Sequence, residues 1–286
     1  MPSSSRGVRR GGSPDRRKAG LLGLAALLIA LSCSAIVARA DETITPMPGP
    51  SDSIGSPANG CVVGAVELPV KGPGWETLRP LTHRDWGNPF LIQFIEDMAA
   101  QVRPKGALII GDLGDARGGP LLFGHASHQL GLDVDILFRL ATTPLSDAER
   151  ENPTFSAVIV SDRGAIDRSL WGPTQVGLLR QFTADPRVER IFVNPVIKRD
   201  LCRTVTGDRA WLRKIRPWWG HAAHFHVRLT CPPGDKDCLP RDPIPAGDGC
   251  GAPLDWWFTA EAAKPTPRAG PPPELPAACK AILGRD

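Results

Sequence analysis

The period of apolar and polar positions changes several times along the chain. Leu91, Phe94, Ile95, Met98 and Val102 recur at helical spacing. Asn88 and Pro89 precede them as an N-cap and a first-turn proline, so a helix is predicted from there to about Val102. Ala107 to Ile110 is a short apolar run, read as a buried strand. The segment Leu132-Asp133-Val134-Asp135-Ile136 alternates with period two, which puts Leu132, Val134 and Ile136 on one face and both aspartates on the other. A second helix is expected from about Pro173 to Phe182. A strand from Val188 to Val193 follows, halted by Asn194-Pro195. The last alternating run sets His224, His226 and Arg228 against Phe225, Val227 and Leu229. No internal repeat is visible. Strands mixed with separated helices, without a βαβ rhythm, predict an α+β fold with a central, mostly antiparallel sheet flanked by helices.

The ends of the chain read differently. Arg6, Arg9, Arg10, Arg16, Arg17 and Lys18 precede an apolar stretch from Leu21 to Val37, and Ala38-Arg39-Ala40 supplies a small-residue cleavage pattern. Residues 1–40 are therefore read as a signal peptide cleaved near Ala40. The apolar stretch is short for a membrane span, so no stable membrane insertion is expected afterwards. Residues 41–60, rich in Pro, Ser and Gly, read as a flexible segment. Residues 61–286 read as one domain, with a proline-rich stretch from Pro265 to Pro276. Without residues 1–40 the chain has 27 basic and 29 acidic residues, so the formal charge of +4 becomes −2 and gives no support to nucleic-acid binding. Six cysteines remain of seven: Cys61, Cys202, Cys231, Cys238, Cys250 and Cys279. An even number in an exported chain with no C-x-x-C predicts disulfides, hence an oxidising compartment, while leaving the pairing open.

Five of the six histidines fall into two clusters, Gly124-His125-Ala126-Ser127-His128 with Asp133 and Asp135 beyond, and His221-Ala222-Ala223-His224-Phe225-His226. Strand alternation projects His224 and His226 together and places Asp135 on a polar strand face, with His128 seven residues upstream. Two imidazoles and a carboxylate are the donor set with which zinc binds while keeping a position open for water. Asp133 shares the face of Asp135 and is either a hydrogen-bonding neighbour of the site or a solvated acid. Trp218 and Trp219 either line a groove or pack. The glycine-rich stretch after Ile110 lacks the Gly-Lys-Ser/Thr ending of a phosphate loop. Ser127 lacks a Gly-x-Ser-x-Gly elbow, and a cysteine nucleophile would leave a cysteine unpaired.

The two histidine segments closely resemble the penicillin-insensitive murein endopeptidases, of the zinc peptidase group that includes lysostaphin-type enzymes, D-Ala-D-Ala carboxypeptidases and hedgehog domains. The resemblance runs on through Ile191-Phe-Val-Asn-Pro195, Trp211 to Trp218 and Gly247-Asp-Gly-Cys-Gly251, and covers the chain from Cys61 onward. It implies a periplasmic zinc peptidase hydrolysing D-alanyl–meso-diaminopimelyl cross-links between peptidoglycan stem peptides, with no serine for penicillin to trap. By the same resemblance His128, Asp135 and His226 hold the zinc, His224 acts as general base and His221 steadies the oxyanion. His125 ranks below these as a metal contact. Asp162 is offered for a second metal, although no histidine follows it between Ser161 and Trp171. The implied pairings are Cys61–Cys279, tying the domain ends together, Cys202–Cys250, clamping the strand of the His-x-His pair, and Cys231–Cys238. The alternatives are a D,D-carboxypeptidase or dipeptidase on the same scaffold, or a non-catalytic zinc-containing cell-wall binding module.

Overall fold

In the stretch 41–60, read as flexible, a strand pair begins. The computed structural model describes residues 45–121, 125–154, 158–162, 164–264 and 273–284, so the signal-peptide assignment and most of the proline-rich stretch lie outside the described residues. Strands β1 (Asp52–Ser56) and β2 (Asn59–Val63) pair antiparallel. Small polar residues had suggested coil here. Tertiary contacts override that composition: Ser53 Oγ donates to the Leu130 carbonyl at 2.9 Å, and Ile54 and Cys61 pack against Cys279 and Ile282.

Short strands β3 (Val66–Glu67), β4 (Lys71–Gly72), β5 (Trp75–Thr77) and β6 (Trp86–Gly87) lead into helix α1 (Pro89–Val102). Asn88 caps α1 by accepting from the Phe90 N–H at 2.9 Å. Then come β7 (Ala107–Ile110), β8 (Asp133–Ala141), α2 (Asp147–Glu151), α3 (Pro173–Ala184) and β9 (Val188–Val193). The Asn194-Pro195 pair not only halts β9 but opens a further helix, α4 (Pro195–Thr204), with Asn194 accepting from the Val196 N–H at 3.0 Å. Strands β10 (Ile215–Pro217) and β11 (His224–Leu229) and the short helices α5 (Ala252–Asp255) and α6 (Ala277–Ile282) complete the described chain.

Seven strands form one sheet in the order β10-β9-β11-β8-β7-β5-β4. The sheet is mixed: β10–β9 and β5–β7 run parallel, and the other neighbours are antiparallel. At its centre β11 pairs with β8 so that His226 stands opposite Asp135 and Arg228 opposite Asp133. Period two then gives the two faces different work. Val134, Ile136, Phe225 and Val227 join the apolar core with the Leu91, Phe94, Ile95 and Met98 stripe of α1 and Leu178, Leu179 and Phe182 of α3. Phe225 lies 5.2 Å from Phe182 and 5.3 Å from Phe138 between ring centroids. The opposite face carries His224, His226, Asp133 and Asp135.

The three cysteine pairs are Cys61–Cys279, Cys202–Cys250 and Cys231–Cys238. The first joins the β1–β2 hairpin to α6. The second does not clamp the His-x-His strand: Cys202 lies in α4, and the bridge ties that helix to the Gly247–Gly251 loop. It is the short Cys231–Cys238 bridge that follows β11. Fully buried Lys198 of α4 reinforces the second bridge by donating to the carbonyls of Leu212 at 2.7 Å and Asp248 at 2.6 Å.

Loop-closure entropy grows with the length of chain a bridge encloses. Replacing Cys61 and Cys279 together by serine, which opens a separation of 218 residues, is expected to cost about 2–5 kcal/mol in urea unfolding. The same change at Cys231 and Cys238, seven residues apart, should cost less.

Candidate metal centre

Asp135 is the hub of the site. It is buried on β8, and each of its carboxylate oxygens faces two imidazoles. Oδ1 lies 3.6 Å from His128 Nε2 and 3.3 Å from His226 Nδ1, while Oδ2 lies 3.7 Å from both His125 Nδ1 and His224 Nε2. His221 stands beside this group, its ring centroid 5.1 Å from that of His224 and 5.9 Å from that of His226. All five clustered histidines are thus brought together. The sixth, His83, ends a 3₁₀ turn elsewhere.

Main-chain paths explain how residues so far apart in sequence converge. His224 and His226 come from β11 and Asp135 from its neighbour β8, so the sheet's own hydrogen bonds fix their register. His125 and His128 come from the loop between β7 and β8. The glycine-rich start of that loop serves close packing: a Cβ on Gly114 would come within 2.9 Å of the His128 carbonyl oxygen. His128 and His221 both adopt left-handed backbone, with φ of 71° and 50°. That conformation costs an L-residue about 1–2 kcal/mol, so packing around the two histidines must hold them there.

Hydrogen bonds on the far side of each ring decide which nitrogen is left to act. His128 Nδ1 donates to the Leu113 carbonyl at 2.5 Å, which leaves Nε2 as the lone-pair nitrogen of the neutral ring. His226 Nε2 donates to Asp133 Oδ1 at 2.7 Å, which turns Nδ1 toward Asp135. Asp133, open in the sequence between two roles, is therefore a buried hydrogen-bonding neighbour of the site. The same oxygen accepts from Arg228 Nε at 2.7 Å, and Arg228 in turn lies over the Phe192 ring. On the other flank Asp112 accepts from His125 Nε2 at 2.8 Å, from Arg79 at 3.0 Å and from Arg84 at 3.3 Å. Asp112 was not singled out from the sequence. Its one signal is its place at the end of a buried strand, where a carboxylate needs partners.

His128 Nε2, His226 Nδ1 and Asp135 Oδ1 therefore face one another in a buried space. His128 Nε2 and Asp135 Oδ1 have no hydrogen-bond partner among the described residues. Such a group repels itself unless a positive charge lies within it. In the metal-free protein a proton on His226 supplies that charge. Burial works against charge on Asp135, yet His224 and His128 hold its carboxyl well below the usual range. Burial also opposes the charge on His226, but Asp133 outweighs it and lifts the ring to about 9. His221 is pushed down to about 4 by burial and by His224, and His224 is lowered by burial above all, so both rings are neutral at pH 7.

Among the described residues His125, His128 and Asp135 are also close enough to share an ion. His226 Nδ1 lies on the other side of the same carboxylate, 3.3 Å from Asp135 Oδ1, and like His125 it is held from behind by an aspartate. Asp162 is exposed and lies outside the group. The histidines open into a cleft of about 340 Å³, also lined by Phe192, Trp218, Trp219 and the cations Arg190, Arg228 and Arg241. A second cavity of the same volume, beside the Cys231–Cys238 loop, shares Arg228 and Arg241 but none of the histidines.

A strand-paired cluster of this kind, at a cleft with neutral imidazoles at its lip, has the make-up of a hydrolase centre. The sequence profile of one family, described as Penicillin-insensitive murein endopeptidase, matches residues 53–284. Proteins named Penicillin-insensitive murein endopeptidase are similar over most of their length. The one from Klebsiella pneumoniae subsp. pneumoniae is 43% identical over 264 residues, covering 91% of this chain and 96% of its own. That from Escherichia coli K12 is 41% identical over 266 residues with the same coverage, and that from Haemophilus influenzae 43% over 248 residues, 83% of this chain and 85% of its own. The chain belongs to the penicillin-insensitive murein endopeptidase family.

Removing the Asp133 carboxylate strands the buried Arg228 and His226. Asp133→Ala is expected to lose about 3–5 kcal/mol of unfolding stability, measured in urea with a chelator present. Because folding raises the His226 pKa from 6.5 to about 9, the metal-free protein holds this stabilisation in full below pH 6.5 and loses it as pH rises through 9. The stability advantage of the parent chain over Asp133→Asn should therefore shrink across that window.

Proposed function

We propose that this chain is a zinc-dependent murein endopeptidase that hydrolyses the D-alanyl–meso-diaminopimelyl cross-link of peptidoglycan. Family membership supports murein as the substrate. The zinc reading rests on one observation, the convergence of His128 Nε2, Asp135 Oδ1 and His226 Nδ1. Their separations of 3.3 and 3.6 Å from the carboxylate oxygen suit a tetrahedral ion, whose bonds of about 2.0–2.1 Å set ligand atoms about 3.3–3.4 Å apart. The donor set of two imidazoles and one carboxylate is that of a catalytic zinc, with a fourth position left for water. Asp133 and the Leu113 carbonyl would fix the ligand tautomers from behind. His125, held by Asp112, and exposed Asp162 are left out of the primary set.

When bound, zinc supplies a Lewis acid that polarises the scissile carbonyl and makes water acidic near neutral pH. The remaining work falls to side chains. His224, neutral and only partly buried, would take the proton of the attacking water, with Asp135 Oδ2 3.7 Å away to stabilise the imidazolium that results. His221 donates through Nδ1 to the Trp219 carbonyl at 2.8 Å, which leaves Nε2 of the neutral ring as an acceptor to steady the attacking water, while the proton taken up by His224 passes to the leaving amine. Arg190, Arg228 and Arg241 along the cleft suit the carboxylates of stem peptides. No serine or cysteine nucleophile takes part, so a β-lactam has nothing to acylate. Export with loss of residues 1–40, and action in the periplasm, complete the proposal. No helix among the described residues is long and apolar enough to cross a membrane.

Digestion of purified sacculi tests the reaction. Loss of cross-linked muropeptide dimers that stops with chelator and returns with zinc is the expected result, whereas release of free terminal D-alanine would favour a D,D-carboxypeptidase. His224→Ala should lower the rate by about 10²–10⁴ while zinc content, measured by atomic absorption, stays near one ion per chain. Full activity in His224→Ala, or in protein free of zinc, would sink the proposal.

A further inference from the structure

Four indoles form a band that leaves the cleft and continues over its rim. Trp218 and Trp219 line the cleft beside His221 and are 50% and 47% exposed. Trp257 packs against both, with ring centroids 5.8 and 5.4 Å away. Trp256 stands edge-on to Trp257 at 5.4 Å and is 48% exposed. Contiguous exposed aromatic surface is disfavoured in water and marks a place of contact.

This band is mounted with unusual firmness for a surface segment. Trp256 and Trp257 directly follow α5, a helix of only four residues. Two residues before α5, Cys250 is bridged to Cys202 of α4. Lys198 of the same helix holds the Asp248 carbonyl, and Arg209 binds the Asp248 carboxylate at 2.8 and 2.9 Å. From α4 again, the Arg199 guanidinium lies 3.8 Å from the centre of the Phe258 ring. Rings fixed in advance lose little freedom when a ligand arrives.

We propose that this band binds the glycan strand of murein, with sugar rings stacked on Trp256 and Trp257 while a stem peptide lies in the histidine cleft. The inference rests on the murein reading above and extends it to the polymer that carries the peptides. Chemistry selects the occupant. In the murein reading the charged groups of stem peptides are met by Arg190, Arg228 and Arg241 within the cleft, whereas the indoles of Trp256 and Trp257 offer flat, uncharged faces. A pyranose ring presents C–H groups on a face and hydroxyls at its edge, so it covers an indole and stays hydrated at its rim. Trp218 and Trp219 join the band to the cleft, and an extended stem of three or four residues reaches about 10–14 Å, enough to bring the attached sugar onto it.

Two substrates with the same cross-link test the idea: intact sacculi, and cross-linked peptide dimers freed of glycan by an amidase. Trp256→Ala should lower the ratio of sacculus to peptide-dimer cleavage about ten-fold, and Trp256→Phe should restore most of it. An unchanged ratio overturns the proposal. So does a change of oligomeric state in Trp256→Ala by sedimentation, which would give the band to a second copy of the chain. Binding of peptide-free glycan strands is measured separately. Weaker binding by Trp256→Ala supports the band even if the parent chain cleaved neither substrate, a result that would count against the murein reading alone. Equal binding by the two proteins overturns it.

Discussion

The structure depends on a negative charge kept where water cannot reach it. Asp135 sits in the middle of the central sheet, its two oxygens divided between two pairs of imidazoles. An isolated buried carboxylate would take up a proton. Here four rings, the Asp133–Arg228 pair behind His226 and the Asp112–Arg79–Arg84 group behind His125 surround it with compensating charge and hydrogen bonds. Everything else serves to keep those groups in register.

Strand pairing does most of that. A strand fixes its side chains at two-residue intervals, so pairing His226 with Asp135 also pairs Arg228 with Asp133, and one register sets both the inner and the outer ring of the site. A slip of one residue would turn Val134 and Val227 toward the cleft and the charges into the core. The aromatic packing of Phe225 with Phe138 and Phe182 on the reverse face therefore guards the chemistry on the front. The histidine loops have no such ladder and rely on left-handed backbone at His128 and His221.

Much of this was legible in the sequence, for reasons that also show where legibility stops. Period-two alternation located β8 and β11 and sorted their faces, because burial on one side of a sheet enforces that pattern. The same Asn-Pro signature occurs at Asn88 and Asn194, and both open helices. Only the first precedes a legible apolar stripe, because α4 buries Lys198 and Asp200 among its interior positions. The β1–β2 hairpin was invisible because its stability comes from distant partners such as Leu130 and Cys279, not from its own residues. Asp112 and Trp257 escaped for a related reason: what they do is set by neighbours far along the chain. The seating of the Cys202–Cys250 bridge likewise required knowing where α4 lies.

The three bridges are nested: Cys61–Cys279 encloses Cys202–Cys250, which encloses Cys231–Cys238. Of the six bridged cysteines, a chain made from its N-terminus presents Cys61 first and Cys202 next, so oxidation in order of appearance would join two residues that end with other partners. Only the innermost pair links cysteines adjacent in the series. Correct closure must wait for the C-terminal helix or proceed by thiolate exchange out of a premature bridge. Because the outermost bridge needs Cys279, only a molecule synthesised through that residue can be sealed.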